Sequence, residues 1–410
     1  MTHQILVTGN AAAAWGARLS SVDYIPAFPI TPQTEIIETL SGWINNGEMD
    51  SHLTMYESEH SMITAAGSAA TAGVRVFTAT SSQGLMYGME MIFAIPGWRV
   101  PFVLVNVSRG LASPITLECD HNDILAARDS GCIQIHCSTC QEILDSVIIG
   151  YKISEHIKIR LPVIVNLDGF YLSFTREPVE IPEQHKVIQY LGEYNPMNDI
   201  YSASAPQARG LIVLVGSQYS YFRYQAHLAN LKALDVYKEA AEEFTLQFGR
   251  NYSVIESYKI DDAEYCFIMV GSFSTKAKSA ADLLRSEGWR IGLIRPRLIR
   301  PFPSEELRIL LSGIKGAAVI DQNISFGKGG ILYTEITSAL YGADGNYPVT
   351  GSFIGGLGGR DITIDEFIVI AGEMREYVQK GKQPDTRLLF TEDELQQIKK
   401  IQLIAGTENS

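Results

Sequence analysis

Val100-Pro101-Phe102-Val103-Leu104-Val105-Asn106-Val107, followed by Ser108-Arg109-Gly110, is an apolar run that ends abruptly in polar residues. Both of its faces are apolar, so it reads as a strand buried on two sides, the habit of a parallel sheet covered by helices. Val74–Thr80, Ile133–His136 and Pro162–Leu167 read the same way, and Ile5–Thr8 is a brief strand near the start. Helical patterns lie between them. Asn10–Arg18 is alanine-rich, and Thr31–Trp43 carries Ile36, Ile37 and Leu40 on one face, with Thr31 suited to the N-cap and Pro32 to the first helical position. Glu59–Ala72 is a helix of small residues closed by Gly73. Strands alternating with helices make a doubly wound α/β domain.

Residues 173–210 break the rhythm with Glu177-Pro178, Ile181-Pro182 and Asn195-Pro196, which reads as a crossing or linker segment. Leu211–Val215 is expected to return as a strand, and the charged, aromatic Tyr221–Arg250 as a long connecting helix. A second α/β unit begins near Asp262, with strands at Tyr265–Val270, Arg290–Ile294 and Ala317–Asp321 and helices at Lys276–Glu287 and Ser304–Leu311. Thr391 and Glu394 have capping-box spacing before a last short helix. The domain division this predicts is 1–235, a connecting helix over 236–260, and 261–410.

The chain has 33 Lys+Arg against 46 Asp+Glu, a net charge of −13, which argues against a nucleic-acid binder. No run approaches the roughly 18 apolar residues of a membrane span. The start, MTHQILVTGN, lacks the basic and apolar regions of a secretory signal. Five cysteines form no disulfide scaffold, and their odd count suits a reducing cytoplasm.

Ligands of open α/β sheets gather beyond the carboxyl ends of the strands, which selects three loops. In Phe28-Pro29-Ile30-Thr31-Pro32-Gln33-Thr34, Thr31 serves equally as a helix cap and as a contact for a substrate carboxylate at a helix start. In Glu57-Ser58-Glu59-His60, Glu59 enters a helix with almost no polar face, so its carboxylate is expected to be partly buried and to need a specific partner. Arg109, just past the opening strand, offers a bidentate fork for a carboxylate, or a surface salt bridge. Thr80-Ser81-Ser82-Gln83-Gly84 holds the corresponding place after the preceding strand, with Ser82 and Gln83 able to line the same cleft.

Cys132, Cys137 and Cys140 follow a C-x4-C-x2-C pattern that partly echoes ferredoxin ligands. The first two span a strand and the third opens a helix, so the thiols should point apart and be buried structural groups. The glycine-rich stretches at 326–330 and 355–361 match neither a Walker A loop nor a dinucleotide fingerprint. Gly355–Gly359 reads instead as a tight turn where chains approach closely.

Together, Phe-Pro-Ile-Thr-Pro-Gln-Thr at 28–34, Glu-Ser-Glu-His at 57–60, Thr-Ala-Thr-Ser-Ser-Gln-Gly at 78–84, Arg109, Asp120-His121-Asn122-Asp123, Arg128-Asp129-Ser130-Gly131 and Gly358-Gly359-Arg360-Asp361 resemble the α subunit of 2-oxoacid:ferredoxin oxidoreductases, nearest the pyruvate:ferredoxin oxidoreductase (pyruvate synthase) type. The resemblance spans roughly residues 5–370. It implies a thiamine-diphosphate pyrimidine-binding domain with a doubly wound parallel sheet, followed by a transketolase C-terminal-like α/β domain. The cofactor, thiamine diphosphate, would be shared with a partner subunit. Mg2+ and iron–sulfur clusters would sit on partner subunits, in keeping with the lack here of a Gly-Asp-Gly magnesium motif.

By the same resemblance, Glu59 is the glutamate that hydrogen-bonds the aminopyrimidine ring, and Thr31 and Arg109 hold the 2-oxoacid. Implied partners are β, γ and δ-type subunits, coenzyme A, ferredoxin and a small 2-oxoacid, with no nucleic acid and no membrane. Ala112–Cys119 departs from the pyruvate-type pattern, losing an aromatic and gaining Glu118 and Cys119, which keeps phenylglyoxylate as an alternative substrate. A non-catalytic docking subunit is the rival from another class. It has no need of Thr31, Glu59 and Arg109 at strand ends.

Overall fold

The computed structural model describes residues 3–196, 203–204, 206–381 and 385–405. Its first sheet is ordered Leu298–Arg300, Ile133–His136, Val163–Asp168, Val103–Ser108, Phe77–Thr80. Pairing is parallel throughout except for Leu298–Arg300, which runs antiparallel against Ile133–His136. A bridge from Tyr24 to Val76 continues the sheet to the parallel pair Tyr24–Ala27 and His52–Met55. Every residue of the four central strands is buried, as their two-sided apolar patterns require. Helix Gly9–Leu19 packs on Cys140–Ser154, and Glu59–Thr71 packs on Met89–Trp98.

Three local expectations are overturned. The first helix after the Thr31 loop runs from Thr34 to Asn45, not from Thr31. Residues 31–33 form a turn instead, because the Gln33 N–H donates to the Ile30 carbonyl at 2.9 Å, Gln33 Nε2 to that of Phe28 at 2.8 Å, and Asn10 Nδ2 to that of Pro32 at 2.8 Å. Gln33 stands at the N-cap, and Thr31 is exposed rather than capping.

The second correction concerns residues 173–210. Arg176–Ile181 is a strand, paired antiparallel with His3–Thr8 in a separate two-stranded sheet, and Gln184–Leu191 is a helix. Pro178 is tolerated because an edge strand can spare an N–H. Positions 197–202 and 205 of that stretch lie outside the described residues.

Thirdly, Leu211–Val215 forms no strand. It is β-prone, but it pairs with no strand of any sheet, and Ile212 and Leu214 are 90% and 92% exposed. The helix after it runs from Gly216 to Phe248, longer at its start than the sequence suggests. Its buried side chains begin only at Ala229 and run to Phe244.

The second sheet is ordered Arg387–Leu388, Val349–Ile354, Gly316–Asp321, Tyr265–Ile268, Ile291–Pro296, Ile255–Tyr258, with only the last strand antiparallel. Thr391 and Glu394 form the expected capping contacts before the last helix. Buried Arg295 ties the two sheets, donating to Glu142 at 2.8 Å and Glu256 at 2.6 Å, while Arg297 also pairs with Glu142. These two guanidiniums hold the buried Glu142 carboxyl far below the usual carboxylate range. Among the described residues no helix is long and apolar enough to cross a membrane.

Candidate active site

Parallel pairing of Phe77–Thr80 with Val103–Ser108 sets Thr80 opposite Asn106, so the loops after both strands open at one edge. Arg109 reaches from its loop to the other two. Its Nη1 donates to the Thr31 carbonyl at 2.6 Å, and its Nη2 to Gln83 Oε1. Ser82 Oγ lies 2.6 Å from the same Gln83 oxygen. Thr31, Ser82, Gln83 and Arg109 therefore meet, with Thr31 contributing its backbone oxygen to the contact rather than its hydroxyl. Partial burial lowers the Arg109 pKa, and nearby Asp123 opposes that shift.

Glu59 opens its helix beneath an N-cap made by Ser58, whose hydroxyl accepts from the Ser61 N–H at 3.2 Å. Only 6% of Glu59 is exposed, and its carboxylate makes no hydrogen bond among the described residues. It rests against the first turn of the Ser82–Tyr87 helix, which follows Phe77–Thr80. A Cβ on Gly84 would lie 2.5 Å from Glu59 Oε1 and 2.6 Å from Thr80 Oγ1, so no larger residue fits there without displacing the carboxylate. The Thr80 hydroxyl beside it is buried and unpartnered, as is that of the next residue, Ser81. A buried free carboxylate beside a free hydroxyl suits an aromatic ring bearing both donors and acceptors, as an aminopyrimidine does.

Asp123, the last residue of the Asp120-His121-Asn122-Asp123 motif, organises this edge. Asp123 is fully buried and accepts from Ser82 N at 3.0 Å, Asn106 Nδ2 at 3.1 Å, Ser108 Oγ at 2.8 Å and Arg109 N at 3.3 Å. Burial pushes its carboxyl up, while the bonds from Asn106 and Ser108 pull it down. One carboxylate thus sets the segments that follow both strands. The available signal was an acid inside an otherwise apolar Ile-Leu-Ala helical turn.

Its three neighbours bind the second domain. Asn122 Oδ1 accepts from Ile324 N at 2.9 Å, and His121 N donates to the Gln322 carbonyl at 2.8 Å. His121 Nε2 lies 2.7 Å from Asp168 Oδ1, and Asp168 also accepts from Ser272 N and Oγ, both at 2.7 Å. This pairing raises the His121 pKa and lowers that of Asp168, whereas burial drives His136 down to about 3. Asp120 is pushed up to about 6 by burial. The glycine turn approaches closely, as expected: the Gly359 N–H donates to the Cys119 carbonyl at 2.8 Å, and its φ of 74° favours glycine.

Cys132, Cys137 and Cys140 are buried and free, and among the described residues they form no ligand group. Burial raises Cys132 to about 12 and lifts the other two as well, so none offers a ready thiolate. The ligand-type atoms of Cys119, His121 and Asp168 do converge within 4.8 Å. Asp168 is already committed to His121 and Ser272, and burial raises the Cys119 thiol well above its usual range.

The fold and the site define an α/β chain of the thiamine-diphosphate-binding class. Residues 15–243 match the family described as "Pyruvate flavodoxin/ferredoxin oxidoreductase, thiamine diP-bdg", and residues 263–367 match "Pyruvate:ferredoxin oxidoreductase core domain II". The chain belongs to the pyruvate flavodoxin/ferredoxin oxidoreductase family. It is 39% identical to the pyruvate synthase subunit PorA of Pyrococcus abyssi, over 93% of this chain and 96% of that protein. It is 41% identical to the ketoisovalerate oxidoreductase subunit VorA of Pyrococcus horikoshii, over 92% and 95% respectively. Among solved structures, a 2-oxoglutarate:ferredoxin oxidoreductase from Magnetococcus marinus shares the fold with a TM-score of 0.70 at 21% identity, covering 92% of this chain and 65% of that one. A split-gene transketolase shares it with a TM-score of 0.50 at 11% identity, over 90% and 98%.

Proposed function

We propose that this chain is the α subunit of a 2-oxoacid:ferredoxin oxidoreductase that oxidatively decarboxylates pyruvate to acetyl-CoA and CO2, or runs the reverse, with electrons passed to ferredoxin. One observation carries the reading: a buried, unpartnered Glu59 carboxylate opens onto the same sheet edge as the Arg109 fork. Thiamine diphosphate, shared with a partner subunit, supplies when bound the carbon nucleophile and electron sink that such chemistry requires.

Glu59 accepts a hydrogen bond from the aminopyrimidine ring, at an oxygen that burial keeps from water. Gly84 leaves room for that contact, and Thr80 can donate beside it. Arg109 takes the carboxylate and keto oxygen of the oxoacid, with Thr31 alongside. Gln83 fixes the guanidinium fork, and Ser82 steadies Gln83. Held this way, the fork meets a planar carboxylate with its donors already aligned.

Iron–sulfur clusters and Mg2+ are expected on β, γ and δ-type subunits, as the resemblance implies. Coenzyme A is the acyl acceptor, and the cytoplasm suits the free cysteines. The PorA and VorA names point to pyruvate and to ketoisovalerate at nearly equal identity, so the test compares oxoacids directly. The purified complex is assayed with coenzyme A on pyruvate, 2-oxoisovalerate and phenylglyoxylate. Pyruvate is expected to show the highest kcat/KM. A higher value for either other acid overturns the substrate, and turnover of none of the three overturns the reading.

A further inference from the structure

Where the two domains meet lies a cluster of ligand-type side chains that the proposed reaction does not use. Cys119, His121 and Asp168 are each fully buried, and a sulfur, a ring nitrogen and a carboxylate oxygen from them lie within 4.8 Å of one another. They come from separate places: the end of the Ala112–Cys119 loop, the residue before the Asn122–Ala126 helix, and the last position of the Val163–Asp168 strand. His136 joins the group. It is fully buried, its ring stands at 85° to that of His121 with 5.7 Å between centroids, and neither of its nitrogens has a partner.

Two features of this cluster call for a ligand. A buried polar atom ordinarily finds a hydrogen bond, so an enclosed imidazole with both nitrogens free is rare. Burial also keeps His136 neutral, the form that binds a metal. The charges are unbalanced as well. Asp120, Asp123 and Asp168 are buried together and all act on the Cys119 thiol, yet among the described residues no Lys or Arg side chain pairs with any of them. A divalent cation would supply both the missing charge and an acceptor for the imidazole lone pair.

We propose that Cys119, His121, Asp168 and His136 bind a divalent transition-metal ion, Zn2+ by the chemistry of its donors. Sulfur, imidazole and carboxylate together suit a tetrahedral Zn2+. Its bonds of about 2.0–2.3 Å set ligand atoms roughly 3.3–3.6 Å apart, so a group spread over no more than 4.8 Å closes on the ion by small side-chain movements. Asp168 is held as a metal-binding carboxylate usually is. Ser272 N and Oγ both donate to its Oδ2 at 2.7 Å, which leaves Oδ1 turned towards His121 Nε2, also at 2.7 Å. Gly271 keeps that side open, because a Cβ there would lie 2.7 Å from Asp168 Oδ2 and 2.8 Å from His121 Cε1. As the ion enters, the Cys119 thiol proton and the proton between His121 and Asp168 leave to solvent. One dication replaces two protons, the buried charge is unchanged, and no electron moves. The ion then ties the Ala112–Cys119 loop to Gly271-Ser272 of the second domain, independently of the proposed function.

The test is titration of Zn2+ into the full-length chain after removal of metals, with Co2+ as a coloured probe. About one ion per chain is expected to survive gel filtration, and Co2+ is expected to give a thiolate-to-cobalt charge-transfer band in the near ultraviolet. Cys119→Ser is expected to abolish the band and to weaken Zn2+ binding at least 100-fold. Ser272→Ala, which removes one supporting bond, is expected to weaken it about 10-fold. Cys132→Ser leaves both readouts unchanged. The proposal is overturned by a wild type that retains no ion or shows no band, by a band that survives Cys119→Ser, or by one that Cys132→Ser removes. If Cys119→Ser fails to fold by far-ultraviolet circular dichroism, the wild-type band and the Ser272→Ala affinity decide. None of these readouts involves catalysis, so a chain that binds the ion in an inactive complex defeats the functional reading alone.

Discussion

Arg109 and Glu59 stand at the same edge of the same sheet and are held in opposite ways. Each terminal nitrogen of Arg109 already has an acceptor within the chain, and its backbone N–H is taken by Asp123. Glu59 is buried with nothing on its carboxylate, beside the Thr80 hydroxyl, which also lacks a partner. Under the proposed function, the Arg109 corner that would grip a substrate carboxylate is largely tied within the chain, its Nε alone lacking a partner, and the Glu59 corner that would receive a ring from outside is left open. A buried polar group with no partner is rare, so this difference marks where the chain offers a group to a partner from outside.

The sharpest way to break the comparison is at the open corner. Glu59→Gln is expected to slow hydrogen–deuterium exchange at the thiazolium C2 by about 10²–10⁴-fold, the range of a positioned acid–base group, with assembly unchanged by sedimentation. Near-normal exchange would reduce Glu59 to a helix-start residue. At the closed corner, Arg109→Ala should lower kcat/KM for the oxoacid by about 10–100-fold, corresponding to a charged hydrogen bond of roughly 1.5–3 kcal/mol, while C2 exchange stays normal. If exchange falls as well, the two corners are not separate.

Asp123→Asn probes the support beneath both. It exchanges an acceptor for a donor facing Ser82 N and Arg109 N, so KM for the oxoacid should rise several-fold with kcat and C2 exchange less affected. A fall in melting temperature with KM unchanged would leave Asp123 a purely structural role. The smallest effect is expected at Asp120, raised to about 6 by burial. A carboxyl that holds its proton more tightly folded than unfolded contributes stability that is fully present below about pH 4 and lost as pH rises through 6. Asp120→Asn should therefore stabilise the protein more at pH 7.5 than at pH 4.5, and thermal melts at the two pH values measure the difference. Equal shifts would show that this carboxyl stays ionised at both.

Much of this architecture was legible in advance because it is written locally. Val103–Ser108 and Ile133–His136 announce themselves by two-sided burial, the Thr391–Glu394 pair by cap spacing, and the Gly355–Gly359 turn by composition. The strand-end rule then located Thr31, Gln83 and Arg109, which do meet. The misreadings share one physical cause. Leu211–Val215 has the composition of a strand, but a strand exists only where another lies beside it. Thr31 has the composition of a cap, but Asn10 and Gln33 draw the preceding carbonyls into a turn. Arg176–Ile181, carrying a proline, pairs with a segment at the far end of the chain that no local pattern indicates.

The sequence by itself determined the class of fold, the alternation that builds it, and the loops at which chemistry could occur, because period, caps and turn residues act over a few positions. Only the tertiary structure decided that Glu59 is left without a partner, that Asp123 ties Ser82 to Arg109, and that the aromatic half of the Gly216–Phe248 helix lies bare. Each of these depends on which groups from distant segments arrive within hydrogen-bonding or van der Waals distance. That is a property of the closed chain and not of any stretch of it.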